Sequence, residues 1–332
     1  MQGLVMQALV MQAYGELVLA ELPVPRIERP DDVLIEVKAA GVCGSDLHGY
    51  TGQSGRRTPP LVMGHEATGR VVATGAGVTD LALGTRVAIN PLDVTRGERR
   101  LMGKDAPGAF AQYVVWPAGN LAPLPDTVTF EQGAFAEPLA VAVRAVDRAG
   151  LGDATSAVVV GAGTIGLLVA SLLKARGVRT VVISDPSAER RAVASSIGVD
   201  VALDPSATDV AAAVHDLTGG RGADVAFEAV GIAAAVAQAH AVVRYGGTVV
   251  WIGNNVRTID VDMQQVVTRE LTVVGTYALS AEDFVAALGL LEAGATDVAS
   301  LIHRRASLAE GPTLFDELLA APGVVKCLFT FE

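Results

Sequence analysis

The sequence predicts an α/β protein in two parts, a β-rich N-terminal domain followed by a doubly wound parallel sheet. Three observations carry that expectation. Residues 1–135 hold short alternating or β-branched runs separated by Gly and Pro, the texture of antiparallel strands joined by turns. From about residue 155 strand-like and helix-like runs alternate, as in a parallel sheet covered on both faces. The tail VVKCLFTF (324–331) returns to strand character and can rejoin the first domain.

In the first part, DVLIEVKAAG (32–41), EATGRVVATG (66–75), GTRVAIN (84–90) and FAQYVVWP (110–117) read as strands. In the second, SAVVVGAG (156–163) is a buried strand, TIGLLVASLLKARG (164–177) a helix and RTVVISD (179–185) the next strand. SAERRAVASSIG (187–198) is a helix with its charges on one face. ADVAFEAVG, AAAVAQAHAVVR, GGTVVWIG and LTVVGTY continue the alternation to residue 277, and AEDFVAALGLLEAG (281–294) has apolar residues at helical spacing. The expected division is 1–139, 140–278 and 279–332, the last segment completing the first domain.

Composition excludes several classes. A chain of 332 residues, 51% hydrophobic and 18% charged with 36 glycines, suits a globular protein with two well-formed cores. A net charge of −11 and a pI near 5.0 argue against nucleic acid or an anionic membrane surface as partner. Only two cysteines, Cys43 and Cys327, do not make a disulfide framework, so a reducing cytoplasm is expected. Mean hydropathy is +0.42, and the uncharged run between Asp153 and Lys174 is long enough to span a bilayer. Its three glycines break it into strand, turn and helix instead. No basic segment precedes the apolar start, so no signal peptide is expected. LVMQALVMQA (4–13) repeats a five-residue unit to which no function attaches.

Gly161-Ala162-Gly163-Thr164-Ile165-Gly166 is a GxGxxG between a strand and a helix, and Asp185 ends the next strand 19 residues beyond Gly166. In that setting Gly161 permits the tight turn and Gly163 the approach of a pyrophosphate, while Gly166 allows close packing of helix on strand. The helix N-terminus faces the phosphates. A carboxylate at Asp185 suits ribose hydroxyls and repels a 2′-phosphate, so NAD is favoured; Arg190 and Arg191 keep NADP as the alternative. This is a Rossmann nucleotide site.

GVCGSDLHGY (41–50) packs a thiol, a hydroxyl, a carboxylate, an imidazole and a phenol into ten residues. His65 and Glu66 follow in GHE, and Glu137 lies in AFAEPLAVA. Singly, a Cys or His is more often core than ligand. Together they offer a thiolate, an imidazole and carboxylates, which suits zinc with one position left open.

These motifs, with GHEATGRVVATGAGV, GTRVAINP, GAFAQYVV, FAEPLAVA, GAGTIG and the terminal VVK, resemble the zinc-dependent medium-chain dehydrogenases, nearest the sorbitol (L-iditol) and threonine dehydrogenase branch. The resemblance runs the length of the chain. It implies a GroES-like catalytic domain interrupted by the Rossmann domain, with the active site between them. Cys43 and His65 match zinc ligands, and one of Glu66 and Glu137 completes the set while the other exchanges or is bridged by water. Asp46 orients the ligand histidine, its alternative role being a helix cap. Ser45 and His48 match the hydroxyl and imidazole that carry the substrate proton to solvent. The resemblance implies that zinc lowers the pKa of the alcohol and hydride passes to the nicotinamide.

One departure is large. Relatives with a structural zinc carry four closely spaced cysteines after GxRVaxxP, whereas NPLDVTRGERRLMGKDAPGAF (90–110) has none. One zinc per chain is expected, and assembly as a homodimer or homotetramer. Cys327 reads as a core strand residue, and Tyr50 is expected near substrate. A zinc-free quinone or enoyl reductase would lack the Cys and GHE ligands, and a non-catalytic NAD-binding protein would show a decayed set. The expected substrate is a small polar alcohol: a polyol, sugar acid, cyclitol or threonine.

Overall fold

The computed structural model describes residues 4–95, 97–321 and 323–331. The β-rich part begins with a hairpin, β1 (Val5–Ala13) and β2 (Glu16–Pro23), then β3 (Asp32–Val42) and a two-turn helix α1 (Gly44–Tyr50). β4 (Leu61–Val62), β5 (Glu66–Thr74), β6 (Arg86–Ile89), β7 (Leu92–Asp93), β8 (Arg100–Leu101), β9 (Tyr113–Pro117) and β10 (Leu121–Pro123) follow. The functionless repeat 4–13 is thus mostly β1, and Leu9 and Met11 are fully buried in the core beneath it.

Short α2 (Phe130–Gly133) and longer α3 (Ala136–Ala149) lead into the nucleotide domain. α3 carries Pro138 in its first turn, where a missing N–H costs nothing, and stops at Gly150 in the left-handed conformation (φ 59°). Strands β11 (Ser156–Val160), β12 (Thr180–Ser184), β13 (Val201–Leu203), β14 (Ala223–Glu228), β15 (Val243–Trp251) and β16 (Thr272–Gly275) form a six-stranded parallel sheet in the order β13-β12-β11-β14-β15-β16. That order is the doubly wound Rossmann arrangement. Its crossovers are α4 (Thr164–Ala175), α5 (Ala188–Ser196), α6 (Val210–Leu217), α7 (Ala233–Val242) and α8 (Met263–Thr268).

Helix α9 (Ala281–Glu292) buries Phe284, Ala287, Leu288 and Leu291 in the same core as α3 and α4, and Asp283 pairs with Arg144 of α3 at 3.0 Å. The return to the first domain therefore comes later, with β17 (Ile302–Ala306), α10 (Gly311–Ala320) and β18 (Lys326–Thr330). β18 pairs antiparallel with the end of β3, Cys327 opposite Val42, and closes a seven-stranded sheet. Cys327 is buried there, as expected of a core strand residue. No helix of the described residues is long and apolar enough to cross a membrane.

Tyr50 is a correction. It lies on the buried side of α1, its ring edge-on to Phe315 and its hydroxyl donating to Gly15 O (2.8 Å) and Asp316 Oδ1 (3.0 Å). Asp46 and Tyr50, four apart, share one helix face, whereas Ser45 and His48, three apart, share another. Tyr50 therefore pins α1 to the β1–β2 turn and α10. Tyr50→Phe is expected to cost about 1 kcal/mol of stability in urea unfolding and to leave turnover unchanged. A large loss of turnover would return Tyr50 to the site.

Candidate active site

The β3–β5 register sets Gly41 opposite Glu66. Cys43 leaves the end of β3 just as His65 enters β5, so residues far apart in the chain meet at one sheet end. The glycines are steric requirements. A Cβ at Gly41 would stand 2.1 Å from Glu66 Oε2, and one at Gly64 (φ 94°) 2.5 Å from the Phe110 ring. Cys43, His65 and Glu66 converge, with a sulfur, a ring nitrogen and a carboxylate oxygen all within 4.8 Å of one another.

Asp46 stands at the third position of α1, whose N-cap is Cys43, and lies beside His65. Its Oδ2 accepts the N–H of Cys43 at 3.1 Å, closing the N-terminus of α1. Its Oδ1 lies 3.4 Å from His65 Nδ1 and 2.9 Å from Arg57 Nη2. Burial alone would raise its pKa, but His65 and Arg57 hold it down to about 2. Burial likewise disfavours charge on His65, yet Asp46 and Cys43 prevail and raise its pKa well above the ordinary value.

Glu137, in the first turn of α3, is buried beside this group but outside its converging atoms. Burial, together with Glu66, pushes its carboxyl up to about 7 against the pull of His65 and Lys326. Lys326 and Arg57 are the residues that sequence reasoning missed. Lys326 is 1% exposed at the start of β18 and donates to Glu66 Oε2 at 2.5 Å and to Val42 O at 3.2 Å.

The charges test whether a metal fits. Asp46, Glu66 and Glu137 are buried with two fixed cations, Arg57 and Lys326, and the half-buried Cys43 sulfur lies beside them. A cation placed among these donors would take the place of the proton on His65 and favour the ionised carboxylates. Uncompensated buried charge costs several kcal/mol. The donor set of thiolate, imidazole and carboxylate suits zinc. The residues fit the metal.

Ser45 and His48 are half-buried on α1. Ser45 Oγ accepts from Arg57 Nη2 at 3.2 Å. Burial, then the Arg57 charge, lowers the pKa of His48.

In the nucleotide site Gly161 takes φ 100°, and a Cβ at Gly166 would lie 1.8 Å from Gly161 O, while the space at Gly163 is open. Asp185 braces the glycine turn, accepting from Ala162 N (2.7 Å) and Ser187 N (2.8 Å). Arg190 reaches within 3.9 Å of Asp185 and donates to Val324 O at 3.1 Å. Arg191 is held by the Asp185 carbonyl (2.8 Å) and by Asp204 (3.1 Å). Thr164 Oγ1 donates to Val325 O at 2.7 Å, one residue before the lysine that holds Glu66, and half-buried Ile165 follows at the start of α4. Residues 325 and 326 thus join the nucleotide turn to the acid cluster.

Residues 29–126 match the family model of the alcohol dehydrogenase GroES-like domain, and residues 164–293 that of the zinc-binding dehydrogenases. Sorbitol dehydrogenase 1 of Saccharomyces cerevisiae is 32% identical over 97% of each chain. This chain belongs to the zinc-dependent medium-chain dehydrogenases. Within the family it falls in the sorbitol dehydrogenase-like branch. The 2-dehydro-3-deoxy-L-galactonate 5-dehydrogenase of Pseudoalteromonas atlantica is 34% identical over 90% of this chain and 91% of its own. A Sinorhizobium meliloti 1021 protein, solved as a zinc-binding dehydrogenase bound to NADP, superposes with a TM-score of 0.91 at 32% identity, covering 99% of this chain and all of that one.

Lys326 is the fixed counter-charge of a buried carboxylate. Lys326→Met is expected to destabilise the chelator-treated protein by about 3–5 kcal/mol, the cost of leaving a buried partner unpaired, measured by urea unfolding. A change below about 1 kcal/mol, the range of a solvated surface pair, would show that Glu66 does not depend on it.

Proposed function

We propose that this dehydrogenase oxidises a secondary hydroxyl of a small polar substrate (a polyol, sugar acid, cyclitol or threonine) to a ketone, reversibly, with NAD. The observation that carries the reading is the link through Val325 and Lys326, which ties the dinucleotide turn to a thiol, an imidazole and a carboxylate that converge within 4.8 Å of one another. The names of the relatives support the substrate class: one acts on sorbitol and one on a sugar acid.

Cys43 and His65, with Glu66 as the converging carboxylate and Glu137 as the exchanging one, would hold one zinc. Bound there, zinc supplies a Lewis acid for the hydroxyl oxygen and the nicotinamide an acceptor for the hydride. The chain's own part is the proton. Ser45 Oγ accepts it from the substrate hydroxyl as its own hydroxyl proton moves on, and His48, half-buried and held neutral near pH 7, passes a proton to water. The carbinol carbon loses hydride, so alcohol and NAD yield ketone, NADH and one proton.

Ser45→Ala should lower kcat by about 10²-fold or more, the usual worth of a positioned proton acceptor, with zinc and NAD still bound. His48→Ala should be milder. Because burial and Arg57 lower the His48 pKa, activity should fall only as pH drops below the ordinary histidine value of 6.5, and His48→Ala should abolish that limb of the pH–rate profile. Full activity in Ser45→Ala would refute the relay.

For the cofactor, the Asp185 carboxylate would repel a 2′-phosphate, and Arg190 and Arg191 beside it are both engaged by the protein's own acceptors. A screen of polyols, aldonates, cyclitols and threonine should give higher kcat/KM with NAD than with NADP. Equal or better values with NADP would overturn the preference and point to Arg190 and Arg191 as a 2′-phosphate site.

Metal analysis of dialysed protein should give one zinc per chain. Cys43→Ser should lose most of it with nearly all activity, and Glu137→Gln should lose less. Two tightly held zincs, or full metal content in Cys43→Ser, would overturn the assignment.

A further inference from the structure

Arg57 has a part that the motifs and the relay leave unassigned. It follows the loop after α1, in a stretch of glycine and polar residues, yet it is only 4% exposed. Its guanidinium is engaged on all sides. Nε donates to Gly103 O (3.1 Å), Nη1 to Ser45 O (2.6 Å), and Nη2 to both Ser45 Oγ (3.2 Å) and Asp46 Oδ1 (2.9 Å). Its stem crosses α1 at Gly49, where a Cβ would lie 2.4 Å from Arg57 Cδ. Helix α1 is therefore shaped to let this side chain pass beneath it.

The chemistry of that contact is directional. A serine hydroxyl has one proton to give and two lone pairs to accept with, whereas a guanidinium only donates. Arg57 takes one lone pair of Ser45 and cannot receive its proton. What remains on Ser45 is one lone pair and one proton, both turned away from the arginine, which is the valence a proton relay needs. The same Nη2 holds Asp46 Oδ1 where it meets His65.

We propose that Arg57 is the positioning residue of this site, one guanidinium that orients the Ser45 hydroxyl outward and keeps Asp46 in place against His65. The inference rests on Ser45 acting as the proton acceptor. It predicts that the two jobs separate on substitution. Lysine keeps a charge beside Asp46 but not the planar fork that reaches four acceptor atoms; methionine keeps the stem and loses both.

The test compares wild type, Arg57→Lys, Arg57→Met, Ser45→Ala and the Ser45→Ala/Arg57→Lys double variant. The substrate is the alcohol that the wild type oxidises fastest in the screen above. Zinc affinity is read without turnover, by competition with a chromophoric chelator. Arg57→Lys should keep zinc affinity within about threefold and KM for NAD unchanged, while kcat falls by about tenfold or more. Arg57→Met should also weaken zinc by about 10–100-fold, as when the group orienting a ligand histidine is disturbed. In the Ser45→Ala background, Arg57→Lys should change kcat less than about twofold, because both act on one step.

A kcat for Arg57→Lys within about twofold of wild type, or losses that multiply in the double variant, would overturn the proposal. If Arg57→Met does not fold, Arg57→Lys and the double variant carry the test. If Ser45→Ala is itself fully active, the relay reading fails and takes the inference with it. A crippled Ser45→Ala beside a normal Arg57→Lys removes the inference alone.

Discussion

Concentrated buried charge is the constraint on which the rest of this structure depends. Asp46, Glu66 and Glu137 lie out of water beside a thiol and an imidazole. Carboxylates placed so persist only if opposite charge or hydrogen bonds compensate them. The fold supplies two cations from distant parts of the chain, Arg57 from the loop after α1 and Lys326 from the final strand. Burial, with Glu66 nearby, raises the Glu137 pKa to about 7 despite His65 and Lys326.

That constraint accounts for much of the architecture. The last strand must return to the first domain, because Lys326 is what faces Glu66, and pairing Cys327 with Val42 brings it there. The glycines at 41, 49 and 64 clear room for Glu66, Arg57 and Phe110. The return also couples the domains, since Val325 meets Thr164 at the head of the nucleotide helix. Cofactor turn and acid cluster are consequently held in register by two adjacent residues.

Much of this was legible in the chain. GAGTIG with Asp185, the strand and helix alternation and the convergence of Cys43 with GHE are local signals whose chemistry is written in neighbouring residues. What escaped was set by long-range packing. Lys326 sits in VVKCLFTF, an apolar strand in which a lone lysine needs a buried partner; that was the available signal. Arg57 lay in a polar glycine loop that reads as solvated. Tyr50 neighbours the site residues in GVCGSDLHGY, yet long-range contacts with Phe315, Gly15 and Asp316 hold it in the core. Helical phase separates it from Ser45 and His48, which share another face of α1. The late return of the chain, after α9 has packed against α3, depends on contacts no local pattern records.

The central claim is that this cluster exists to hold one zinc through a single sulfur, and the most direct measurement is zinc K-edge X-ray absorption on the metal-loaded protein. The account predicts one sulfur at about 2.3 Å and the remaining donors nitrogen or oxygen at about 2.0–2.2 Å. A spectrum with no sulfur neighbour, or with several, would contradict it.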